Sequence, residues 1–204
     1  LEDYSVKLAK QGKYKKRGLI NSFFNKRHLN ATGSFINHNK IKRILDVGCG
    51  EGMPLYYLQS KLNDAQIYGI DNDFEKIEMI KRNITKGNFT EGDIYSLPFE
   101  NKSFDLIICL EVLEHLRFPE KALLEIKRVS SGSCLFSVPY EPIWSFLNVL
   151  RLKYLSSLGN TPDHKQKWTF NQFKKFIEKE FNILLAKVVI PWTFILCSPR
   201  ESQE

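Results

Sequence analysis

Ile44-Leu45-Asp46-Val47-Gly48-Cys49-Gly50-Glu51-Gly52 is an apolar run that ends in glycines at alternate positions. Met53-Pro54 follows, then an apolar-periodic segment from Leu55 to Leu62. The run predicts a buried strand. Pro54 suits the first turn of a helix, where its missing N–H costs nothing. Between strand and helix the glycines permit a sharp turn and let a ligand approach the backbone with no Cβ in the way. A pocket at the carboxyl end of a strand is where open α/β sheets hold their ligands. The spacing is G-x-G-x-G, one residue short of the G-x-G-x-x-G that sets a helix N-terminus against a pyrophosphate. Asp46 sits inside the strand end, and a carboxylate there repels a pyrophosphate and suits a cationic amino group.

Further landmarks follow in order. Ile67-Tyr68-Gly69-Ile70-Asp71-Asn72-Asp73 predicts a second strand ending in an acid. It lies about 20 residues beyond the glycine loop, where a ribose-binding carboxylate belongs. A turn or capping role is the alternative for Asp71. Asn72, with Glu75 three positions later, reads as a helix start. Next come Glu91-Gly92-Asp93-Ile94 and Leu97-Pro98-Phe99, where a lone acid is more often a loop residue. Ser103-Phe104-Asp105-Leu106-Ile107-Ile108-Cys109-Leu110-Glu111 predicts a fourth buried strand.

From Ile41 to Val138 this series resembles the class I S-adenosylmethionine-dependent methyltransferases. The resemblance implies an α/β fold: a Rossmann-like seven-stranded sheet with helices on both faces and the last strand antiparallel. It implies a cofactor site built from Asp46, Gly48, Cys49, Gly50, Asp71, Asn72, Asp93, Ile94 and Leu110. Within that site Asp71 meets the ribose, Asp93 the adenine amino group, and the end of the fourth strand the methionine part.

The 204 residues suit a single domain, with 43% hydrophobic and 26% charged residues, ordinary for a globular chain. No apolar run approaches the ~20 residues of a membrane span, so no stable membrane insertion is expected. Leu1-Glu2-Asp3-Tyr4 opens no signal peptide. The chain does not begin with Met, so a trimmed terminus stays open. Cys49, Cys109, Cys134 and Cys197 lack zinc spacing and read as buried free thiols of a cytoplasmic protein. The net charge is +7, and much of the excess lies in Lys7, Lys10, Lys13, Lys15, Lys16, Arg17, Lys26, Arg27, Lys40, Lys42 and Arg43. Such a surface can attract RNA or an anionic membrane, although a solvated helix face is commoner.

Residues 1–40 read as a helical cap with breaks near Gly12 and Gly33, its Phe23, Phe24 and Leu29 covering the cofactor site or docking on the sheet. Strand and helix then alternate: Lys42–Val47, Pro54–Leu62, Gln66–Asp71, Phe74–Asn83, Phe89–Glu91, Phe104–Leu110, Pro119–Val129 and Cys134–Val138. Phe170–Glu180 reads as a helix, and Ile183–Ile190 with Trp192–Cys197 as a closing hairpin. Such alternation gives a parallel sheet covered on both faces. Residues 139–168 interrupt it after a strand end, where ligands bind. They carry an apolar helix through Leu155 and read as a substrate-covering insertion.

Glu111-Val112-Leu113-Glu114-His115 follows the fourth strand. If Glu111 opens a helical turn, positions i, i+3 and i+4 share one face. Two carboxylates and an imidazole then converge, and His164 of the polar loop is the candidate fourth ligand for a divalent metal ion. This arrangement resembles the RNA 3′-terminal 2′-O-methyltransferases, whose later His region Asp163-His164-Lys165-Gln166-Lys167-Trp168-Thr169 looks like. It also resembles the ubiquinone-biosynthesis O-methyltransferases. Metal-free enzymes of the family also carry Glu-His here, as pocket walls or bases. Glu114, His115 and His164 are therefore the catalytic candidates either way. His28 and His38 lack acidic neighbours in sequence and receive no role.

The leading expectation is O-methylation of a small hydroxylated metabolite beneath an apolar lid of Tyr140, Trp144, Phe146 and Trp168. RNA ribose 2′-O-methylation is the alternative, favoured by the charge and the His164 region, although no separate RNA-binding module is visible. A nicotinamide-dependent oxidoreductase is disfavoured by Asp46 and the early third glycine. A non-catalytic partner subunit is disfavoured by the intact Asp46, Asp71 and Asp93.

Overall fold

In the computed structural model β1 (Arg43–Val47) is an interior strand of the sheet. The model describes residues 19–36, 41–62, 64–150, 154, 157–159 and 161–201. Ile44, Leu45 and Val47 are fully buried, as a parallel strand covered on both faces requires. β2 (Gln66–Asp71) and β4 (Phe104–Leu110) flank it in parallel, β3 (Asn88–Glu91) lies beyond β2, and β5 (Ser130–Pro139) beyond β4. β6 (Phe181–Val189) and β7 (Trp192–Pro199) complete a seven-stranded sheet of order β3-β2-β1-β4-β5-β7-β6. β7 runs antiparallel to both β5 and β6. This is the expected architecture, last strand included.

Alternate residues of each strand serve opposite faces. Leu45, Val47, Ile107, Cys109 and Phe136 join one core with α4 (Pro119–Val129) and α6 (Phe170–Ile177). Ile44, Leu106, Ile108 and Leu135 join the other with α1 (Leu19–Phe35), α2 (Met53–Gln59) and α3 (Phe74–Asn83). The four cysteines are buried free thiols, as expected.

Several boundaries differ from the sequence reading. α1 continues through Gly33, where a break was expected. A Cβ there would stand 2.8 Å from the Tyr57 ring, so the glycine serves close packing against α2. α3 is capped by Asp73, whose carboxylate accepts from the Glu75 and Lys76 N–H groups; Asn72 is not the cap. β5 starts at Ser130, earlier than expected, because Gly132 lets the chain pass tightly over the Asp105 backbone. After the cis Glu141-Pro142 bond, α5 covers Ile143–Leu150. The expected continuation at Leu155, and the basic stretch from Lys7 to Arg17 with Gly12, His38 and Lys40, lie outside the described residues.

Candidate active site

The turn after β1 is pinned to the end of β2. The N–H groups of Gly48 and Cys49 both donate to the Ile70 carbonyl, at 2.8 and 3.0 Å. Gly48, Gly50 and Gly52 take φ of 77°, 51° and 79°, the left-handed region that glycine enters without a Cβ clash. They serve different ends. A Cβ on Gly48 would strike Val112, and one on Gly52 would strike Ile80, so both are packing glycines. A Cβ on Gly50 would meet nothing within 4 Å. That open space faces the carboxyl edge of the sheet.

Asp71 closes the floor of this space. One carboxyl oxygen accepts from the Gly50 N–H at 2.8 Å and the other from the Asp73 N–H at 3.0 Å, with the Lys76 ammonium 3.8 Å away. Asp46 is buried, and its Oδ2 has no hydrogen-bond partner among the described residues. Burial, reinforced by the charge of Asp71, holds its carboxyl well above the usual carboxylate range. Cys49 is buried against Gly69, and burial raises its thiol. Asn72 is exposed. Asp93 is exposed just beyond β3, accepting from the Tyr95 N–H at 2.9 Å, and Ile94 packs on the core. Leu110 is buried at the end of β4.

Beyond β4 the chain forms a 3₁₀ turn, Leu113–His115. One ligand atom each from Glu114, His115 and His164 lie within 4.8 Å of one another. The two imidazoles meet edge to face with centroids 5.0 Å apart. The Lys165 and Gln166 N–H groups donate to the Glu114 carbonyl, and His115 Nδ1 lies 3.1 Å from the Asp163 carbonyl, so the loop carrying His164 is tied to the turn. Glu114 is 2% exposed, and neither carboxyl oxygen has a hydrogen-bond partner among the described residues. Burial first, and then the charge of Glu111, raise its carboxyl well above the ordinary range. His164 is lowered to about 4, by burial first and then by His115.

Glu111 does not join that cluster. The expectation needed it to open a helical turn. Instead its backbone takes φ 58°, which sends the side chain back over β5. Its Oε1 accepts from Ser137 Oγ at 2.9 Å. His28 of α1, which the sequence left without a role, places Nε2 3.0 Å from the same hydroxyl and 3.9 Å from the carboxyl. Ser137 gives its single proton to Glu111, so its oxygen accepts from His28, which fixes the Nε2–H tautomer. Burial lowers His28 to about 4 and pushes Glu111 up to about 8, the latter against hydrogen bonds from Ser137 and Trp192. His28 also packs against Trp192 and Phe194. No local sequence signal could expose it, because its partners lie in strands far along the chain.

The insertion roofs this end of the site. Trp144 stacks on His164 with centroids 6.3 Å apart, while Trp168 packs on Phe173 and Phe176 of α6. Phe146, expected in the lid, is 60% exposed on the outer side of α5.

Residues 45–136 match the methyltransferase domain family. Over 102 residues the chain is 33% identical to an uncharacterised methyltransferase of Schizosaccharomyces pombe, a match covering 45% of this chain and 37% of that protein. Over 101 residues it is 34% identical to the mitochondrial ubiquinone biosynthesis O-methyltransferase of Candida albicans, covering 46% and 31% of the two chains. The matched segments thus span well under half the length of these relatives. The magnesium protoporphyrin IX methyltransferase of Synechocystis, solved with bound SAH, shares the fold: TM-score 0.69 at 15% identity, covering 91% of this chain and 89% of that one. The glycine turn, the acids beside it and the seven-stranded sheet are those of the class I S-adenosylmethionine-dependent methyltransferase fold, and residues 45–136 carry its methyltransferase domain.

Proposed function

We propose that the chain transfers a methyl group from S-adenosylmethionine to a hydroxyl of a small molecule. The observation that carries this reading is the open space over Gly50, floored by Asp71, with the Glu114-His115-His164 cluster at the far end of the same edge. When bound there, the cofactor supplies an electrophilic methyl on a sulfonium. Asp71 accepts the ribose hydroxyls through charge-assisted hydrogen bonds. Asp93 takes the adenine amino group, with Asn72, Ile94, Cys49 and Leu110 as walls. Asp46, buried and with one carboxyl oxygen short of a partner among the described residues, offers that oxygen as an acceptor for an amino group.

The cluster fits a divalent ion. Direct ligands stand ~2.0–2.2 Å from a transition metal, so two of them lie at most about 4.4 Å apart. Atoms already within 4.8 Å need only a small closure. A buried carboxyl with two oxygens unpartnered among the described residues, beside two imidazoles, is a donor set for Mn, Fe, Co or Zn. Bound there, an ion lowers the pKa of a coordinated hydroxyl. Without one, His115 and His164 are the groups placed to take that proton.

The acceptor class rests on two supports. The roof of residues 139–168 offers Tyr140, Trp144 and Trp168 as apolar and aromatic wall, and the C. albicans relative is an O-methyltransferase by name. RNA gains no comparable support, since most of the basic excess lies outside the described residues. We also place the chain in the cytoplasm as one domain, in keeping with its buried free thiols. Among the described residues no helix is long and apolar enough to cross a membrane.

Calorimetry with S-adenosylmethionine, its demethylated product and NADH tests the cofactor. Tight NADH binding with no S-adenosylmethionine binding would sink the assignment. Metabolite and RNA pools incubated with methyl-labelled cofactor test the acceptor, and label entering RNA alone would replace the small molecule.

A further inference from the structure

The strand order β3-β2-β1-β4-β5 sets Asp93, Asp71, the glycine turn, Glu111 and Ser137 side by side along the carboxyl edge of the sheet. Neighbouring strands lie about 4.8 Å apart. A cofactor with its adenine toward Asp93 and its ribose on Asp71 therefore extends past the glycine turn, and its sulfur end approaches Glu111. Val112 fixes that proximity, because its side chain fills the space over Gly48.

The carboxyl of Glu111 is held in place with no cationic partner among the described residues. Every group that holds it is neutral: the Ser137 hydroxyl, the Trp192 side chain and, behind Ser137, the deprotonated His28. Glu114, which Glu111 helps to raise, adds no positive charge at this end. The Lys76 ammonium is committed to Asp71 and Asp73. The side chain keeps 29% of its surface free, and the left-handed backbone at φ 58° holds it in place. An oriented, partly open carboxyl with neutral donors lacks only a positive partner.

We propose that Glu111 is the counter-charge to the cofactor's sulfonium, and that Ser137 and His28 are positioning residues for its carboxyl. The inference rests on the methyltransferase reading. It assigns a function to the asymmetry of the reaction. The sulfur is positive before transfer and neutral after it, so the attraction to Glu111 disappears with the methyl group, and the product is released more readily than the substrate cofactor.

The test measures binding alone and needs no acceptor. Calorimetry on the full chain at about pH 9, where a carboxyl raised to about 8 is ionised, compares S-adenosylmethionine, S-adenosylhomocysteine and sinefungin, whose amine places a cation near the sulfonium position. Glu111→Gln keeps an amide oxygen to accept from Ser137 and removes the charge. It should weaken the two cationic ligands about tenfold and leave S-adenosylhomocysteine within about twofold, the size of one charge pair at a partly open site. Unchanged S-adenosylhomocysteine affinity also shows that the variant is folded. Equal losses for all three ligands, or no loss for any, would overturn the proposal. Ser137→Ala and His28→Ala should each lower the cation preference about threefold, whereas His28→Gln, which keeps an N–H for Ser137, should restore it. If the two His28 variants behave alike, the positioning role fails. Wild-type protein that binds none of the three ligands would instead overturn the methyltransferase reading itself.

Discussion

The Asp71 carboxylate accepts from Gly50 through one oxygen and from Asp73 through the other, so it ties the glycine turn to α3 before any ligand arrives. Asp71→Ala should weaken S-adenosylmethionine binding by about 1.5–3 kcal/mol, measured by calorimetry. The glycines separate cleanly. Gly48→Ala drives a Cβ into Val112 and should lower the melting temperature. Gly50→Val sets its Cβ where no atom lies within 4 Å and should keep the fold while losing cofactor binding, with about 1–2 kcal/mol of left-handed strain added. His28 gives a pH signature. Its folded pKa is lowered from 6.5 to about 4, so the unfolded chain binds the extra proton first. Its contribution to stability is present above pH ~6.5 and falls away as pH drops through that window, by on the order of 3 kcal/mol at most. His28→Gln should therefore flatten the decline in melting temperature between those pH values. If wild type and variant decline in parallel, His28 is not the sensitive group. Local geometry was legible where spacing is local, as with the strand-to-helix turn at Gly48 and Gly50 and the strand-ending place of Asp71. Contacts were hidden where a partner is distant, as with His28 and Ser137, separated by 109 positions.

Among the elements, the loop from Asp93 to Phe99 depends on α4. Arg128 donates to the carbonyls of Leu97 and Phe99 at 2.8 and 2.7 Å and pairs with Glu125, which in turn accepts from the Leu97 N–H. The Leu-Pro-Phe landmark of the sequence is thus a clamped strap. Arg128→Ala should free it, raising amide exchange over residues 93–99 and weakening cofactor binding several-fold, while Lys127→Ala on the same helix should leave both unchanged. The periodicity of β4 and of α4 predicts these elements to the residue, since each is local and strongly patterned. The turn after β4 is the counter-example. A pattern of i, i+3 and i+4 presumes an α-helical turn. The chain forms a 3₁₀ turn after a left-handed residue, which keeps Glu114 and His115 together and sends Glu111 elsewhere.

At the scale of the molecule, Asp71 and Asp93 lie at the ends of β2 and β3 while the Glu114-His115-His164 cluster follows β4, so the ribose and adenine contacts should not depend on the cluster. A chelator should abolish activity and a divalent ion restore it, with cofactor affinity nearly unchanged. Glu114→Ala and His164→Ala should each lose that response. Activity indifferent to chelation would leave the imidazoles as bases instead. The overall fold was readable because alternating strands and helices admit few topologies. The insertion was readable only as an interruption: no periodicity foretells that His164 lands on His115, which takes the backbone ties from Lys165 and Gln166 to Glu114.

The antiparallel β7 also sets a timetable. α1 is the earliest described element along the chain, and it rests on Trp192 and Phe194, near the other end. On a translating ribosome, the glycine turn and the acids of β1 and β2 emerge well before the strand that seats His28. Until β7 is made, the wall that steadies Glu111 has nothing to lean on. A nascent chain halted before Trp192 would carry the whole cofactor signature and still present an open trough to solvent. The trough therefore closes only once β7 has been made, through its contact with α1.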